Sequence, residues 1–306
     1  MLEQKLSLVS EMVHRVMRWF SRHARKNLPW RQTRDPYRIW VSEIMLQQTQ
    51  AERVVPKYEA FLLQFPDVMS LARAPQAAVI RAWAGLGYNR RALYLWRGAA
   101  VVVERHGGVM PRTRDALLAL PGVGPYTANA ILSFAYHEPV TLVDTNHRRV
   151  VQRVFFGQPQ RAASAGNQAM ETRVVAQLAR ISAQLSTVRD GHYRFNQALM
   201  DIGATICVAV APKCAVCPLR DICKARPQFE AGTRVKRNVT KSSQGVFAGS
   251  NRWYRGKIMT ILRAESAVTV VEVGKRLMLD TPRLHAIIES LVRDGLVTRK
   301  GTRLTL

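Results

Sequence analysis

The chain contains four cysteines, and all of them lie in one short segment near residue 215. Cys207, Cys214, Cys217 and Cys223 have the spacing C-x6-C-x2-C-x5-C, in which four thiolates can close around one metal centre. Zinc also accepts four cysteines, but its sites usually pair two short knuckles across a longer loop, and this run is not paired in that way. The spacing therefore favours an iron–sulfur cluster of the 4Fe-4S type over zinc.

A glycine-rich segment, LPGVGPYTA, separates two stretches of helical pattern at residues 120–128. Gly122 and Gly124 lie in the turn, and Tyr126 stands at the start of the second stretch. Glycine lets the backbone approach a phosphate closely, and the amides at a helix N-terminus point towards an anion. The segment can therefore bind a nucleic-acid backbone without reading bases, although an ordinary turn between two helices is the alternative.

A single aspartate, Asp144, follows the largely apolar run 140–143 and precedes Thr145, Asn146 and His147. Aspartate at this place is a good helix N-cap. A carboxylate at a helix N-terminus is also kept ionised, so it can serve as a fixed negative charge in a reaction. The two roles are compatible, and the residues alone leave both open.

The charge of the chain indicates a polyanionic partner. Lysine and arginine number 46 against 21 acidic residues, a formal net charge of +25. Such an excess destabilises a compact fold by self-repulsion, so we expect a nucleic-acid partner rather than a merely soluble basic protein. No apolar run approaches the ~20 residues of a membrane-spanning helix, and the start does not have the pattern of a signal peptide. We therefore expect no membrane association and a cytoplasmic, nucleoid-associated location.

A mainly α-helical body must position these residues. From residue 5 to about 200, apolar residues recur at helical spacing, and proline and glycine divide the stretch into short helices. Residues 227–251 are rich in Gly, Ser, Thr, Lys and Arg, which is typical of a linker. We therefore predict a body at residues 1–226 that includes the cysteine segment 207–223, followed by this linker.

The last part of the chain, residues 252–306, has the pattern of a winged helix-turn-helix domain. It predicts three helices, the third opened by Asp280 or Thr281 and stopped by Gly295, and then a hairpin around Lys300-Gly301. Such domains often bind DNA, and some bind only protein. We expect this tail to contact DNA phosphates, with docking onto the body or a protein as the alternative.

Taken together, the hairpin, the aspartate and the cysteine run resemble the helix-hairpin-helix DNA glycosylase superfamily, typified by endonuclease III, over residues 5–226. The segments LPWR (28–31), Glu43 with MLQQTQ (45–50), and GLGY (85–88) are similar to the MutY branch, the adenine glycosylases. The resemblance implies a helix-hairpin-helix glycosylase fold with an iron–sulfur cluster loop. It also implies a monomer that acts on double-stranded DNA with a mismatched or oxidised base pair.

The resemblance further implies the reaction and its residues. The substrate is adenine opposite 8-oxoguanine or guanine, flipped out of the duplex. Glu43 protonates the purine and later helps to activate water, and Asp144 stabilises the oxocarbenium-like sugar. Tyr126 and Asn146 orient this pair. Bifunctional relatives carry at position 126 a lysine that attacks the sugar, so the tyrosine here implies a monofunctional enzyme.

The same resemblance assigns the DNA contacts. Gln48 and Tyr88 are similar to residues that wedge into the base stack around the flipped nucleotide. The full set implied is Arg31, Gln48, Thr49, Leu86, Tyr88, Gly122 and Gly124.

The pattern departs from the family after the cysteine run. Typical adenine glycosylases continue into a Nudix-like domain that helps to read 8-oxoguanine, whereas this chain continues into the winged-helix pattern. The base opposite the adenine is therefore left open. Two alternatives remain: a thymine glycosylase acting on G·T mismatches, and a non-enzymatic iron–sulfur DNA-binding regulator. Intact Glu43 and Asp144 argue against the regulator.

Overall fold

The computed structural model describes residues 2–159, 168–233, 235 and 246–306. The α-helices are α1 (Leu2–His23), α2 (Pro36–Leu46), α3 (Ala51–Gln64), α4 (Val68–Arg73), α5 (Gln76–Ala82), α6 (Arg90–His106), α7 (Arg114–Leu118), α8 (Pro125–Ala135), α9 (Thr145–Phe156), α10 (Gln168–Leu185), α11 (Gly191–Thr205), α12 (Arg226–Glu230), α13 (Asn251–Ala264), α14 (Val270–Leu277) and α15 (Thr281–Arg293). Short 3-10 helices lie at Pro29–Arg31, Cys214–Val216 and Arg220–Ile222, and the strands are β1 (Val268–Thr269), β2 (Thr298–Lys300) and β3 (Arg303–Thr305). The predicted mainly helical fold is confirmed.

The chain folds into two compact units. The first consists of Met1–Pro36 and Gly124–Val239, and the second consists of Tyr37–Val123 and Thr240–Leu306. Most of the central part of the predicted linker 227–251 lies outside the described residues. None of the helices in the described ranges combines the length and the apolar character that crossing a membrane requires.

The core of the first unit is built from α1, α9, α10 and α11. Helix α1 contributes Val9, Met12, Val13 and Val16, which recur at the spacing of one helix face. The cysteine segment joins the same core because Cys207 is buried in it. The cysteine segment is therefore anchored on the same helical core as α9, the helix that Asp144 caps.

The second unit combines α2–α7 with the C-terminal helices and strands. Helix α4 packs on α6. Strands β1, β3 and β2 form one antiparallel sheet in that order, with Leu304 opposite both Val268 and Arg299. The tail thus has the three helices and the hairpin that its pattern predicts. Capping residues mark the starts of two of these helices. Thr269 and Glu272 form a capping box on α14, and the Asp280 side chain caps α15.

Candidate active site and cysteine centre

Asp144 is the N-cap of α9, and its carboxylate is surrounded by donors. Its Oδ1 accepts from the backbone N–H of His147 at 2.7 Å and from His147 Nδ1 at 2.6 Å, and its Oδ2 accepts from Asn146 Nδ2 at 2.9 Å. Burial opposes the charged form, but the hydrogen bonds from His147 and Asn146 outweigh it and hold the pKa of Asp144 below its usual value. The site therefore supplies a fixed negative charge at neutral pH.

Sequence reasoning did not single out His147, which the structure places directly against this carboxylate. The imidazole is completely buried. An ionised carboxylate can only accept, so the ring nitrogen Nδ1 is the donor in this pair. The sequence does contain a signal for this contact between His147 and Asp144, because the residue three positions after an N-cap faces the capping side chain.

A chain of hydrogen bonds joins Asp144 to the cysteine segment within the first unit. Asn146 Oδ1 accepts from Arg149 Nη2 at 2.7 Å, and Arg149 Nε donates to the carbonyl of Cys207 at 2.7 Å. Arg149 Nη2 also donates to the carbonyl of Gly203 at 2.6 Å. A Cβ on Gly203 would lie 2.5 Å from the Asn146 Cβ, so this close approach requires glycine. The side chain of Asn146 is thus held through both its amide nitrogen and its amide oxygen.

The four cysteines line one cavity of about 20 Å³ in the first unit. This volume exceeds the roughly 10–15 Å³ that a single water needs, so the cavity can hold at least one water-sized group. Burial raises the pKa of the Cys217 thiol to about 12, and it also raises the pKa values of Cys214 and Cys223. Buried thiols of this kind become thiolates when a metal centre binds them.

Arg153 holds the start of the cysteine segment. Its Nη1 lies 3.3 Å from Cys207 Sγ and donates to the carbonyl of Val208 at 2.7 Å, while Nη2 donates to the carbonyl of Ala209 at 2.7 Å. Across the part of the chain that the structure describes, no three histidine, cysteine, aspartate or glutamate side chains are arranged to hold a single metal ion.

The predicted hairpin lies between α7 and α8. Gly122 has φ +76° and is exposed, and a Cβ there would lie 2.7 Å from the Tyr94 Cβ, so the turn needs glycine. Gly124 directly precedes α8 as its N-cap. Tyr126 is half-buried in the first turn of α8, with its hydroxyl 3.9 Å from Met200 Sδ. The elements of a helix-hairpin-helix are therefore present at the predicted residues.

Glu43 lies near the end of α2 in the second unit and is buried, with 5% of its surface exposed. The side chains on either side of it, Ser42 and Ile44, are buried as well. Removing a carboxyl group from water is costly, and such groups are concentrated at functional sites. The sequence pattern of α2 does not mark Glu43 as a buried residue. Nearly every position of this helix is buried, so no contrast between a buried and an exposed face singles it out.

Two segments with predicted DNA contacts are joined by one arginine that sequence reasoning missed. Gln48 and Tyr88 both have backbone conformations in the left-handed region, with φ 58° and 46°. The buried guanidinium of Arg91 donates to the carbonyls of Ile44, Met45, Gln47, Leu86 and Gly87 and to the hydroxyl of Thr49. Burial lowers the pKa of Arg91 to about 10, so it stays charged at neutral pH. One positive charge therefore fixes both segments.

The predicted DNA-contact residues differ in their exposure. Gln48 and Tyr88 are exposed, Tyr88 by 63%, and both are open to a ligand. Leu86 is buried, so its side chain packs inside the unit. Arg31 is engaged in two hydrogen bonds to the buried Asp201, at 2.6 and 2.8 Å. The structure therefore gives Arg31 an internal partner, Asp201, and its contact with DNA stays a prediction.

Comparison with known proteins identifies the family. The model of the HhH-GPD superfamily of base excision DNA repair proteins matches residues 41–174. The chain is 39% identical over 284 residues to an adenine DNA glycosylase of Mycolicibacterium smegmatis, covering 92% of this chain and 91% of that protein. It is similar to the solved structure of a thermostable thymine-DNA glycosylase, with 31% identity, a TM-score of 0.62, and coverage of 72% of this chain and 98% of that one. Endonuclease III in a non-covalent DNA complex shares the fold, with 20% identity, a TM-score of 0.60, and coverage of 74% and 98%.

The chain belongs to the HhH-GPD superfamily of base excision DNA repair proteins and, within it, to the adenine DNA glycosylases. The predicted enzyme class, a DNA N-glycosylase, is confirmed. The hypothesis of a non-enzymatic DNA-binding regulator is dropped.

Proposed function

We propose that the chain hydrolyses the N-glycosidic bond of adenine mispaired with 8-oxoguanine or guanine. The observation that carries this proposal is the geometry of Asp144, whose charge is held ionised by His147 and Asn146. A fixed anion is what a cationic sugar needs in the transition state of glycosidic cleavage. The adenine specificity is supported by the 39% identity to the adenine DNA glycosylase of Mycolicibacterium smegmatis.

Glu43 and Asp144 divide the chemistry. Glu43 donates a proton to N7 of the adenine, so that the electron pair of the breaking bond to the sugar leaves with the base. Asp144 stabilises the oxocarbenium-like sugar that remains, by charge or by a transient bond. Water then adds to the sugar carbon and loses its proton to Glu43. Asn146 holds one oxygen of Asp144 in place during these steps.

Tyr126 limits the reaction to base release. A lysine at this position would attack the sugar through its amine and form an imine, from which strand cleavage follows. The phenol of tyrosine cannot form an imine. We therefore propose that the enzyme is monofunctional and that Tyr126 helps to orient the catalytic groups.

The DNA contacts follow from exposure and backbone geometry. A role for Gln48 and Tyr88 in entering the base stack is supported by their exposure and by the bonds of Arg91 to the preceding carbonyls, those of Gln47 and Gly87. Thr49 supports the first of these segments through its bond from Arg91. Gly122 and Gly124 offer backbone amides to phosphate. The net charge of +25 supports a monomer that binds double-stranded DNA and is associated with the nucleoid.

We further propose that Cys207, Cys214, Cys217 and Cys223 hold a 4Fe-4S cluster. The four cysteines line one cavity, and their C-x6-C-x2-C-x5-C spacing lets four thiolates close around one centre. Zinc sites with four cysteines usually pair two short knuckles across a longer loop, and this run is not paired in that way. The cluster when bound supplies structural cross-linking of the segment. Arg153 and Arg149 hold the segment at Cys207 from the protein side.

Metal analysis tests this assignment. Protein prepared without oxygen should be brown and contain about four iron atoms per chain, because the cysteines form one closed ligand set. Replacing Cys217 by Ser should lower the iron content and the visible absorbance together. Stoichiometric zinc in place of iron would contradict the proposal.

A panel of duplexes tests the reaction. Single-turnover assays should use matched duplexes with A opposite 8-oxoguanine, A opposite G, T opposite G, and A opposite T as the control. We expect base release from the two mispaired adenines, seen as strand breaks after alkali treatment. Without alkali the strands should stay intact, and borohydride should trap no covalent complex, since Tyr126 forms no imine.

One alternative hypothesis has an observation in its favour, namely that the chain is a thymine glycosylase acting on G·T mismatches. A solved thymine-DNA glycosylase is 31% identical to this chain and is covered over 98% of its length. Faster excision from the T·G duplex than from either mispaired adenine would replace the proposed substrate by thymine. Strand breaks without alkali would contradict the monofunctional assignment.

A further inference from the structure

The C-terminal segment 251–306, which we call the tail, shares a hydrophobic core with α5 and α6. Ile80 of α5 and Leu93 of α6 are buried in the same cluster as Ile258, Leu262 and Leu291 of the tail. Ile80 and Leu93 flank the loop 83–89 that carries Tyr88. The tail is therefore packed against both ends of a segment with predicted DNA contacts.

Arg263, in the last turn of α13, makes the polar part of this contact. Its Nη2 donates to Asn89 Oδ1 at 2.7 Å, and its Nε donates to the carbonyl of Ile80 at 3.2 Å. Burial lowers the pKa of Arg263. Placing a guanidinium out of water is costly unless its donors are used, so these two bonds matter for the local structure. One bond reaches the helix before the loop and the other reaches the residue that directly follows Tyr88.

Further tail contacts lie along the same two helices. Gln76 Nε2 donates to the carbonyl of Gly295 at 2.9 Å, and Arg90 Nη1 lies 3.7 Å from Asp294 Oδ1. A Cβ on Gly295 would lie 2.9 Å from Arg97 Nη2, so the two surfaces approach closely at this glycine. The contact therefore extends from the start of α5 to the middle of α6.

The loop 83–89 has backbone conformations that contacts with neighbouring groups must stabilise. Gly85, Gly87 and Tyr88 all have positive φ, at 88°, 71° and 46°. A non-glycine residue in this region is strained, and it persists only when its surroundings determine it. Arg91 bonds the carbonyl of Gly87 from one side, and Trp83 Nε1 donates to the same carbonyl at 3.2 Å. Arg53 also donates to the carbonyl of Gly85, and the bond from Arg263 to Asn89 adds a contact from the tail at the end of the loop.

We propose that the tail fixes the conformation of the loop 83–89 and thereby positions Tyr88 for base extrusion, with Arg263 as the positioning residue. The functional part rests on the proposed role of Tyr88 in DNA contact. The tail then acts through the loop, beyond any phosphate contacts of its own. Loss of Arg263 slows excision because a small displacement of the wedge is enough to cost rate.

The test compares full-length variants by hydrogen exchange and by single-turnover excision. In Arg263→Gln, amides of residues 83–89 should exchange faster than in wild type, while those of the tail core keep their protection. The excision rate at saturating enzyme on the A·8-oxoguanine duplex should fall by roughly 10- to 100-fold. Arg276→Gln is the control, because Arg276 is an exposed tail arginine paired with Glu265 within the tail.

Variants of Asn89 keep the test decisive if Arg263→Gln folds poorly. Asn89→Asp retains the oxygen acceptor, so residues 83–89 should exchange as slowly as in wild type, whereas Asn89→Ala should speed their exchange as Arg263→Gln does. The effects of Asn89→Ala and Arg263→Gln should not add in the double variant, since each removes the same bond. Unchanged exchange of residues 83–89 in both variants, or equal effects of Arg276→Gln and Arg263→Gln, would overturn the proposal. If wild type releases no adenine, the proposed function fails, and exchange alone still decides whether the tail holds the loop.

Discussion

Replacing Asp144 by Asn should lower the single-turnover rate of adenine excision by roughly 10²- to 10³-fold, with DNA affinity nearly unchanged. Asparagine is as good an N-cap as aspartate, so α9 should still begin at Thr145. What is lost is the negative charge, which matters more in the cationic transition state than in the bound ground state. Rates measured at saturating enzyme, with binding measured separately, give both quantities.

Asp67→Asn is the matched control, because Asp67 caps α4 in the same way and has no proposed part in the chemistry. It should leave the excision rate unchanged. The hypothesis for Asp144 would be abandoned if Asp144→Asn kept the wild-type rate, or if it lost DNA binding and excision in equal measure.

The lowered pKa of Asp144 fixes the direction of its pH dependence. A carboxyl whose pKa is lower in the folded protein stabilises the fold above its ordinary value of about 3.9. That stabilisation is lost as the pH falls through the lower pKa of the folded state. The charge of Asp144 therefore persists throughout the neutral range, and any loss of rate on mild acidification must come from another group.

Replacing Glu43 by Gln should lower the excision rate by roughly 10²- to 10⁴-fold, the usual contribution of general acid–base catalysis. Glutamine has nearly the same size and remains polar, so it can occupy the buried position in α2. It cannot supply the proton that makes adenine a good leaving group.

Glu59→Gln, an exposed change on α3, provides the comparison and should have the wild-type rate. Thermal unfolding of both variants separates catalysis from folding. A Glu43→Gln enzyme with an intact fold and the wild-type rate on the A·8-oxoguanine duplex would show that another group protonates the base.

Local features of the sequence determined much of the fold. Apolar residues at helical spacing predicted the helical body, and Thr269 and Asp280 marked the starts of α14 and α15. The glycines of the hairpin and the spacing of the cysteines could also be recognised in the sequence. These features depend on hydrogen bonds and backbone conformations within a few residues, so the pattern of residue types along the chain carries them directly.

The family resemblance, rather than local pattern, pointed to Glu43. By residue type alone, a glutamate in a helix is most often exposed. Its burial depends on what packs around α2, and that information is spread over distant parts of the chain. Asp144 was easier to assign because its capping role and its proposed catalytic role use the same position at the start of α9.

Only the tertiary structure decided what the buried arginines do. Arg31 bonds Asp201, Arg91 joins the segments of Gln48 and Tyr88, and Arg263 holds Asn89. Their partners lie far away in the sequence or are backbone carbonyls, which every residue carries, so no motif marks them. A buried guanidinium must find acceptors for its donors, and which acceptors it reaches depends on how the helices pack. The sequence and its family resemblance therefore predicted the chemistry of the site, and long-range packing determined which loops these arginines hold.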